Sequence, residues 1–272
     1  MLAIVTTMSL VVLHATLDGD AAAPSAPEAA PARVADGRGG AEPAPPPKRG
    51  GALRVLTYNV AGLPDFVSDS TPSVNHALIS PLLNDFDLAV VQEAFHYHRR
   101  LASQAHHPFV IEADPDPWPI FEGDGLAFFS SRPLSEPLRE TWEACNGTFS
   151  QYSDCLASKG VTRTELHLGP EVAVDVYNLH MDAGEGEGDV AARGAQIEQL
   201  LRLIARRSEG RAVIVAGDTN LDVAQPDDRR HLQHLIDAAG LADGCWATRC
   251  DDEHIDRILF RGKKNINLNI SQ

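Results

Sequence analysis

Residues 211–222 read RAVIVAGDTNLD, an apolar strand that runs straight into Asp218, Thr219, Asn220 and Asp222. The apolar half belongs in a core. The polar half crowds acidic groups that repel one another unless a cation or a reacting group lies between them. Gly, Asp and Asn are also ordinary turn formers, so a strand closed by an Asx turn explains the stretch equally well when it is taken alone. What decides between the two is whether other strands end in the same way.

Several do. LRVLTYNV (53–60) carries Asn59 at its end, FDLAVVQEA (86–94) carries Gln92 and Glu93, and VAVDVYNLH (172–180) ends on His180 with Asp182 just beyond. IDRILFR (255–261) holds Asp256 near its start. With GLAFFSS (125–131), GVTRTELHL (160–168) and AVIVAGD (212–218), these stretches read as strands from their β-branched and aromatic content. Apolar residues recurring at three and four predict helices over 74–83, 189–206 and 229–239. Strands alternating with helices, without an internal repeat, predict an α/β sandwich of two packed sheets. Strand ends meeting at one rim would gather carboxylate and amide oxygens, the donors that Mg²⁺ or Ca²⁺ prefers. Each residue alone has a plainer role, as a cap, a solvated strand end or a core histidine; together, in this order, they describe a site.

Composition bounds the function. The chain has 272 residues, 43% of them hydrophobic and 22% charged, enough for one large domain with an appendage. A formal charge of −15 opposes tight nonspecific binding to nucleic acid, whose affinity comes from Lys and Arg neutralising phosphates. Residues 1–16 form an apolar, signal-like segment without a basic n-region, and residues 17–51 an Ala/Pro/Gly-rich linker that buries too little surface to order itself. The folded domain is expected over 52–272, in a secreted or periplasmic protein. Cys145 with Cys155 and Cys245 with Cys250 are close enough in sequence to close two local disulfides, and neither pair has zinc-finger spacing.

TYNVAGLP, DLAVVQEAF, DGLAFFSSRPL, VYNLHMDAG, VAGDTNLD and HIDRILFR, in this order from about residue 53 to 261, resemble the successive motifs of the endonuclease/exonuclease/phosphatase superfamily. That resemblance implies a DNase I-like four-layer sandwich, two mixed β-sheets flanked by helices, and a metal-dependent phosphoesterase. CNGTFSQYSDCLASKGVTRTEL (145–166) is similar to a segment of secreted sphingomyelinases. Carried over by residue, the resemblance implies that Asn59 and Glu93 hold Mg²⁺, or another divalent ion such as Mn²⁺ or Ca²⁺. Asp218 orients or activates the attacking water, Asn220 holds the scissile phosphate, His180 donates to a phosphoryl oxygen, and Asp124 orients His180. A divalent cation suits a diester, because it neutralises the anion and lowers the pKa of water.

The superfamily's members follow the ID strand with a segment ending in Ser-Asp-His, whose His works with the ID aspartate, here Asp256. In this sequence IDRILFRG is followed by KKNINLNISQ, which alternates like a strand. The expectation is a domain truncated at its C-terminus, lacking the final strand and the terminal catalytic His. His254, two residues from Asp256 on the same strand face, is a poor substitute. Three outcomes are therefore open: a phosphodiesterase acting on phospholipid or small phosphoesters, an extracellular endonuclease, and an inactive relative that binds phosphate or metal. A monomer is expected. A membrane surface is a further expected partner, with Trp118, Ile120 and Phe121 in DPDPWPIFEGDG (114–125) as an apolar lip.

Overall fold

The computed structural model describes residues 8–17, 49–68, 70–114, 123–147, 155, 157–249, 254–263 and 265–270. The first sheet is built from β1 (Met8–Leu17), β2 (Arg49–Asn59), β3 (Leu88–Gln92), β4 (Phe109–Ile111), β5 (Ala127–Ser130) and β12 (Ile266–Ile270), in the order β12-β1-β2-β3-β5-β4. The second contains β6 (Leu138–Thr141), β7 (Gly160–Gly169), β8 (Val172–His180), β9 (Val213–Asp218), β10 (Ala242–Asp243) and β11 (Asp256–Arg261), in the order β10-β11-β9-β8-β7-β6. Both sheets are mixed: β2 runs parallel to β3 and β8 parallel to β9, and the other pairs are antiparallel. The helices are α1 (Pro72–Ile79), continued by a 3-10 segment (Ser80–Asp85), α2 (His98–Leu101), α3 (Glu187–Arg207), α4 (Pro226–Ala239) and α5 (Gly244–Thr248). Among the described residues no helix is long and apolar enough to cross a membrane.

Period-two alternation assembles the layers. In β3, Leu88 and Val90 enter the core between the sheets, while Ala89 and Val91 face the α1 layer. In β9, Ile214 and Ala216 point between the sheets, and Val213 and Val215 pack under α3 and α4. Because both faces of each central strand are covered, these strands read as continuous apolar runs. The result is the α/β/β/α sandwich expected, with six strands in each described sheet.

Met8–Leu17, which overlaps the signal-like segment 1–16, is strand β1, hydrogen-bonded to β2 on one side and β12 on the other, with Leu13 fully buried. β12 lies in the stretch that alternates like a strand after IDRILFRG. The linker expectation, residues 17–51, falls between 18 and 48 outside the described residues; Leu17 and 49–51 belong to strands β1 and β2. The apolar-lip residues Trp118, Ile120 and Phe121 also lie outside the described residues.

Two polar devices lock the layers together. Between the sheets, Gln92 Nε2 donates to Asn178 Oδ1 at 2.7 Å, and Asn178 Nδ2 donates to the carbonyls of Val91 and Ala127 at 3.0 and 3.1 Å. Between the helices, Arg193 of α3 and Asp228 of α4 form a buried two-point ion pair at 3.0 and 2.9 Å. Arg193 also donates to the carbonyls of Asp182 and Gly184, so it fixes the loop that follows β8.

Candidate active site

The alternation that fills the inter-sheet core also delivers its polar end. Leu53, Val55, Thr57 and Asn59 share one face of β2, and Val174, Val176, Asn178 and His180 one face of β8. Asp218 continues the inward face of β9 beyond Ile214 and Ala216, and Asp256 precedes Ile258 and Phe260 on β11. The core therefore changes from aliphatic to polar at one rim, with side chains from both sheets.

Their geometry is specific. Asn59 Nδ2 donates to Glu93 Oε1 at 2.9 Å and to Asp218 Oδ2 at 3.0 Å, so one amide bridges two carboxylates from different sheets. His180 Nε2 stands 3.7 Å from Asp218 Oδ2 and 3.9 Å from Glu93 Oε1. Asp256 lies opposite Asp218 in the β11–β9 register, and His180 opposite Asp218 in the β8–β9 register. Asn220 closes the cluster: its backbone N–H donates to Asp218 Oδ1 at 3.0 Å and its side chain to the Met181 carbonyl at 3.0 Å. Burial, and after it the Lys159 ammonium, hold the His180 imidazole well below its ordinary range, so His180 is neutral at pH 7.

The local sequence explains why the chain turns here. Glu93 and Asn220 both adopt left-handed backbone, with φ of 55° and 50°; for Glu93 this is a strained conformation of the kind that collects at functional sites, and Asn tolerates it better. Two glycines permit the close approach. A Cβ on Gly62 would lie 2.2 Å from the Glu93 carbonyl, and one on Gly217 would lie 2.1 Å from the Leu179 carbonyl. Both positions are therefore closed to any side chain, which accounts for NVAGLP and VAGDTN.

Asp124 makes its contacts away from His180 in this structure: its carboxylate is ion-paired with Arg139, accepts from Thr162 Oγ1 at 3.3 Å and takes the backbone N–H groups of Asp114 and Leu126. Burial pushes its carboxyl above the ordinary range, and Arg139 only partly offsets this. His180 Nδ1 makes no hydrogen bond among the described residues; the imidazole is held through its backbone, whose carbonyl accepts from Trp142 Nε1 at 2.7 Å.

Asp182 is an anchor. It accepts from the Asn146 backbone N–H at 2.6 Å and from Gln196 Nε2 at 2.6 Å. Asn146 follows Cys145, which is bonded to Cys155 with a Cα–Cα distance of 5.4 Å. Cys245 is also disulfide-bonded, and Cys250 lies outside the described residues. Replacing Cys145 and Cys155 with Ser is expected to destabilise the fold by at most about 3 kcal/mol, the loop-entropy value for so short a loop. Because Asn146 holds Asp182, the same change should also loosen the loop that follows β8; urea unfolding measures the loss of stability. Sequence reasoning missed Lys159, which is buried and donates to the Met181 carbonyl at 3.3 Å, and missed Asn178, whose signal was a polar residue on the inward parity of an apolar strand.

No group of three or more His, Cys, Asp or Glu side chains among the described residues is arranged to hold a metal ion. The donor set nevertheless fits Mg²⁺, which is commonly held by one or two carboxylates together with waters and substrate phosphate. Glu93 would hold it. Asn59 would join only with its amide turned, since its Oδ1 accepts from the Ala61 N–H at 2.9 Å.

The sequence profile of the endonuclease/exonuclease/phosphatase family matches residues 56–267. A Mycobacterium tuberculosis protein named sphingomyelinase is 32% identical over 239 residues, covering 80% of this chain and 46% of its own. This chain thus spans about half the length of the curated relatives it matches, the share being 54% for a putative neutral sphingomyelinase of Drosophila melanogaster. Among solved structures, sphingomyelinase C from Streptomyces griseocarneus superposes with a TM-score of 0.61 at 19% identity, covering 77% of this chain and 83% of that one. A Staphylococcus aureus beta toxin double mutant with bound magnesium ions gives 0.62 at 16% identity, covering 76% and 83%.

Proposed function

Because this chain belongs to the endonuclease/exonuclease/phosphatase family, we propose that it is a secreted, Mg²⁺-dependent phosphodiesterase acting on a phospholipid head group, of the sphingomyelinase type. The observation that carries the reading is the convergence of Asn59, Glu93, His180 and Asp218 from both sheets on one rim. The mycobacterial likeness over 80% of the chain favours the lipid diester, and the charge of −15 disfavours a polyanionic substrate. The Cys145–Cys155 disulfide favours an oxidising compartment.

In this reading Glu93, with Asn59, holds the cation, which when bound supplies charge neutralisation at the phosphate. Asp218 accepts a proton from the attacking water, for which its Oδ2 faces the rim beside His180 Nε2. Neutral His180 donates its Nε2–H to a phosphoryl oxygen as charge develops there. The Asn220 side chain, now on the Met181 carbonyl, turns to the phosphate, and Asp256, opposite Asp218, adds to the negative field that draws a cation to the rim. Mg²⁺ at about one hundred times its Kd should stabilise the protein by about 2.7 kcal/mol. Glu93→Ala should abolish the rise in melting temperature, and an undiminished rise in the variant would place the cation elsewhere.

A further inference from the structure

We propose that an apolar face made by Phe66, Val67, Val74, Leu78 and Leu82 docks this chain on the surface of a zwitterionic phospholipid bilayer; this rests on the phospholipid reading of the site. The face is anomalous for a helix of a water-soluble layer. Pro72, His76, Ile79 and Leu83 turn inward from α1 and its 3-10 continuation, buried or partly buried under the first sheet. The opposite side, at a spacing of four, carries Val74, Leu78 and Leu82, each between 50% and 65% exposed. Helix α4, which also covers a sheet, shows the ordinary pattern: its outer side is Asp227, Arg229, Arg230, Gln233, His234 and Asp237. A helix apolar on both sides needs a second apolar partner.

The patch continues into the loop that leaves the candidate site. Phe66, the residue after Asp65, is 90% exposed, and Val67 is 58% exposed. Asp65 clamps that turn to α1 by accepting from the Ser73 backbone N–H at 2.9 Å and its hydroxyl at 2.5 Å. The inner side of α1 is tied to the rim itself, where His76 Nε2 meets the Val60 carbonyl, next to Asn59, at 3.2 Å. The docking face and the candidate metal residues thus belong to one connected piece of structure.

Charge selects the occupant. Exposed Arg100 borders the face, its Nη1 donating to the Ser73 carbonyl at 2.6 Å, so a cation sits at the edge where lipid phosphates would lie. The chain as a whole carries −15 and would be repelled by an anionic leaflet. Apolar insertion beside a small basic edge suits a neutral phosphatidylcholine or sphingomyelin surface.

The test measures partition of the full chain onto phosphatidylcholine vesicles in chelator, where no turnover occurs. Phe66→Ser with Leu78→Ser should weaken partition about tenfold or more, roughly 1.4 kcal/mol for each factor of ten, with an unchanged melting temperature because both side chains are exposed. A second pair, Val74→Lys with Leu82→Lys, should do the same without touching the loop. Equal partition of parent and both variants overturns the proposal, as does a parent that self-associates without lipid while the variants are monomeric, which would assign the face to a second copy. The site reading is tested apart, by whether the parent hydrolyses sphingomyelin in detergent micelles. Vesicle binding that depends on Phe66 and Leu78 upholds the docking face even if that hydrolysis is absent.

Discussion

Asp218→Asn is expected to lower turnover by about 10² to 10⁴, the usual cost of losing a general base, while leaving the protein as stable as before or more so. The stability half of this expectation follows from the crowding of charge. Asp218 lies opposite Asp256 in the β11–β9 register and shares the Asn59 amide with Glu93, so three carboxylates converge at the polar end of one core. Neutralising one relieves repulsion, which offsets the loss of the Asn59 Nδ2 hydrogen bond to Oδ2, and an Asn carbonyl can still accept from the Asn220 N–H. A gain in melting temperature with a loss of activity is the signature of a site built against stability. A variant that loses both together would show instead that Asp218 is a structural carboxylate.

Arg193→Ala is expected to cost about 3 to 5 kcal/mol, because it leaves Asp228 as an uncompensated buried charge and strips donors from the carbonyls of Asp182 and Gly184. In a chain of this size that lowers the melting temperature by roughly 6 to 20 °C. Replacing both partners, Arg193→Met with Asp228→Leu, should recover much of the loss, since an apolar pair of similar volume carries no desolvation penalty. If Arg193→Ala melts within a degree or two of the parent, α3 and α4 are held by their apolar seam alone.

The site residues were legible in the sequence because each stands at a strand end, and strand ends can be read from where an apolar run stops. Asn59, His180, Asp218 and Asp256 stand on the inward parity of their strands, and Glu93, on the outward parity of β3, reaches the same rim through the left-handed turn after Gln92. Pairings across the fold were not legible. Asp124 is 15 residues from Arg139 on another sheet, and no local pattern says that this Arg, and not His180, takes its carboxylate. Residues 8–17 illustrate a different ambiguity: a short run of Leu and Val reads equally as an export signal and as a strand, and its pairing with β2 and β12 could not be read from the sequence. The outward side of α1 was hidden for a related reason. Apolar residues recurring at three and four predict the helix, but when they recur on both sides the pattern does not say which side is covered.

The most direct measurement is release of phosphocholine from sphingomyelin in mixed detergent micelles by the purified chain, with Mg²⁺ and with a chelator, beside Asp218→Asn under both conditions. The account predicts release by the parent in Mg²⁺ that falls to the Asp218→Asn level when the metal is removed. Release that survives the chelator, or a parent no faster than Asp218→Asn in Mg²⁺, would contradict a metal-dependent phosphodiesterase centred on Glu93, His180 and Asp218.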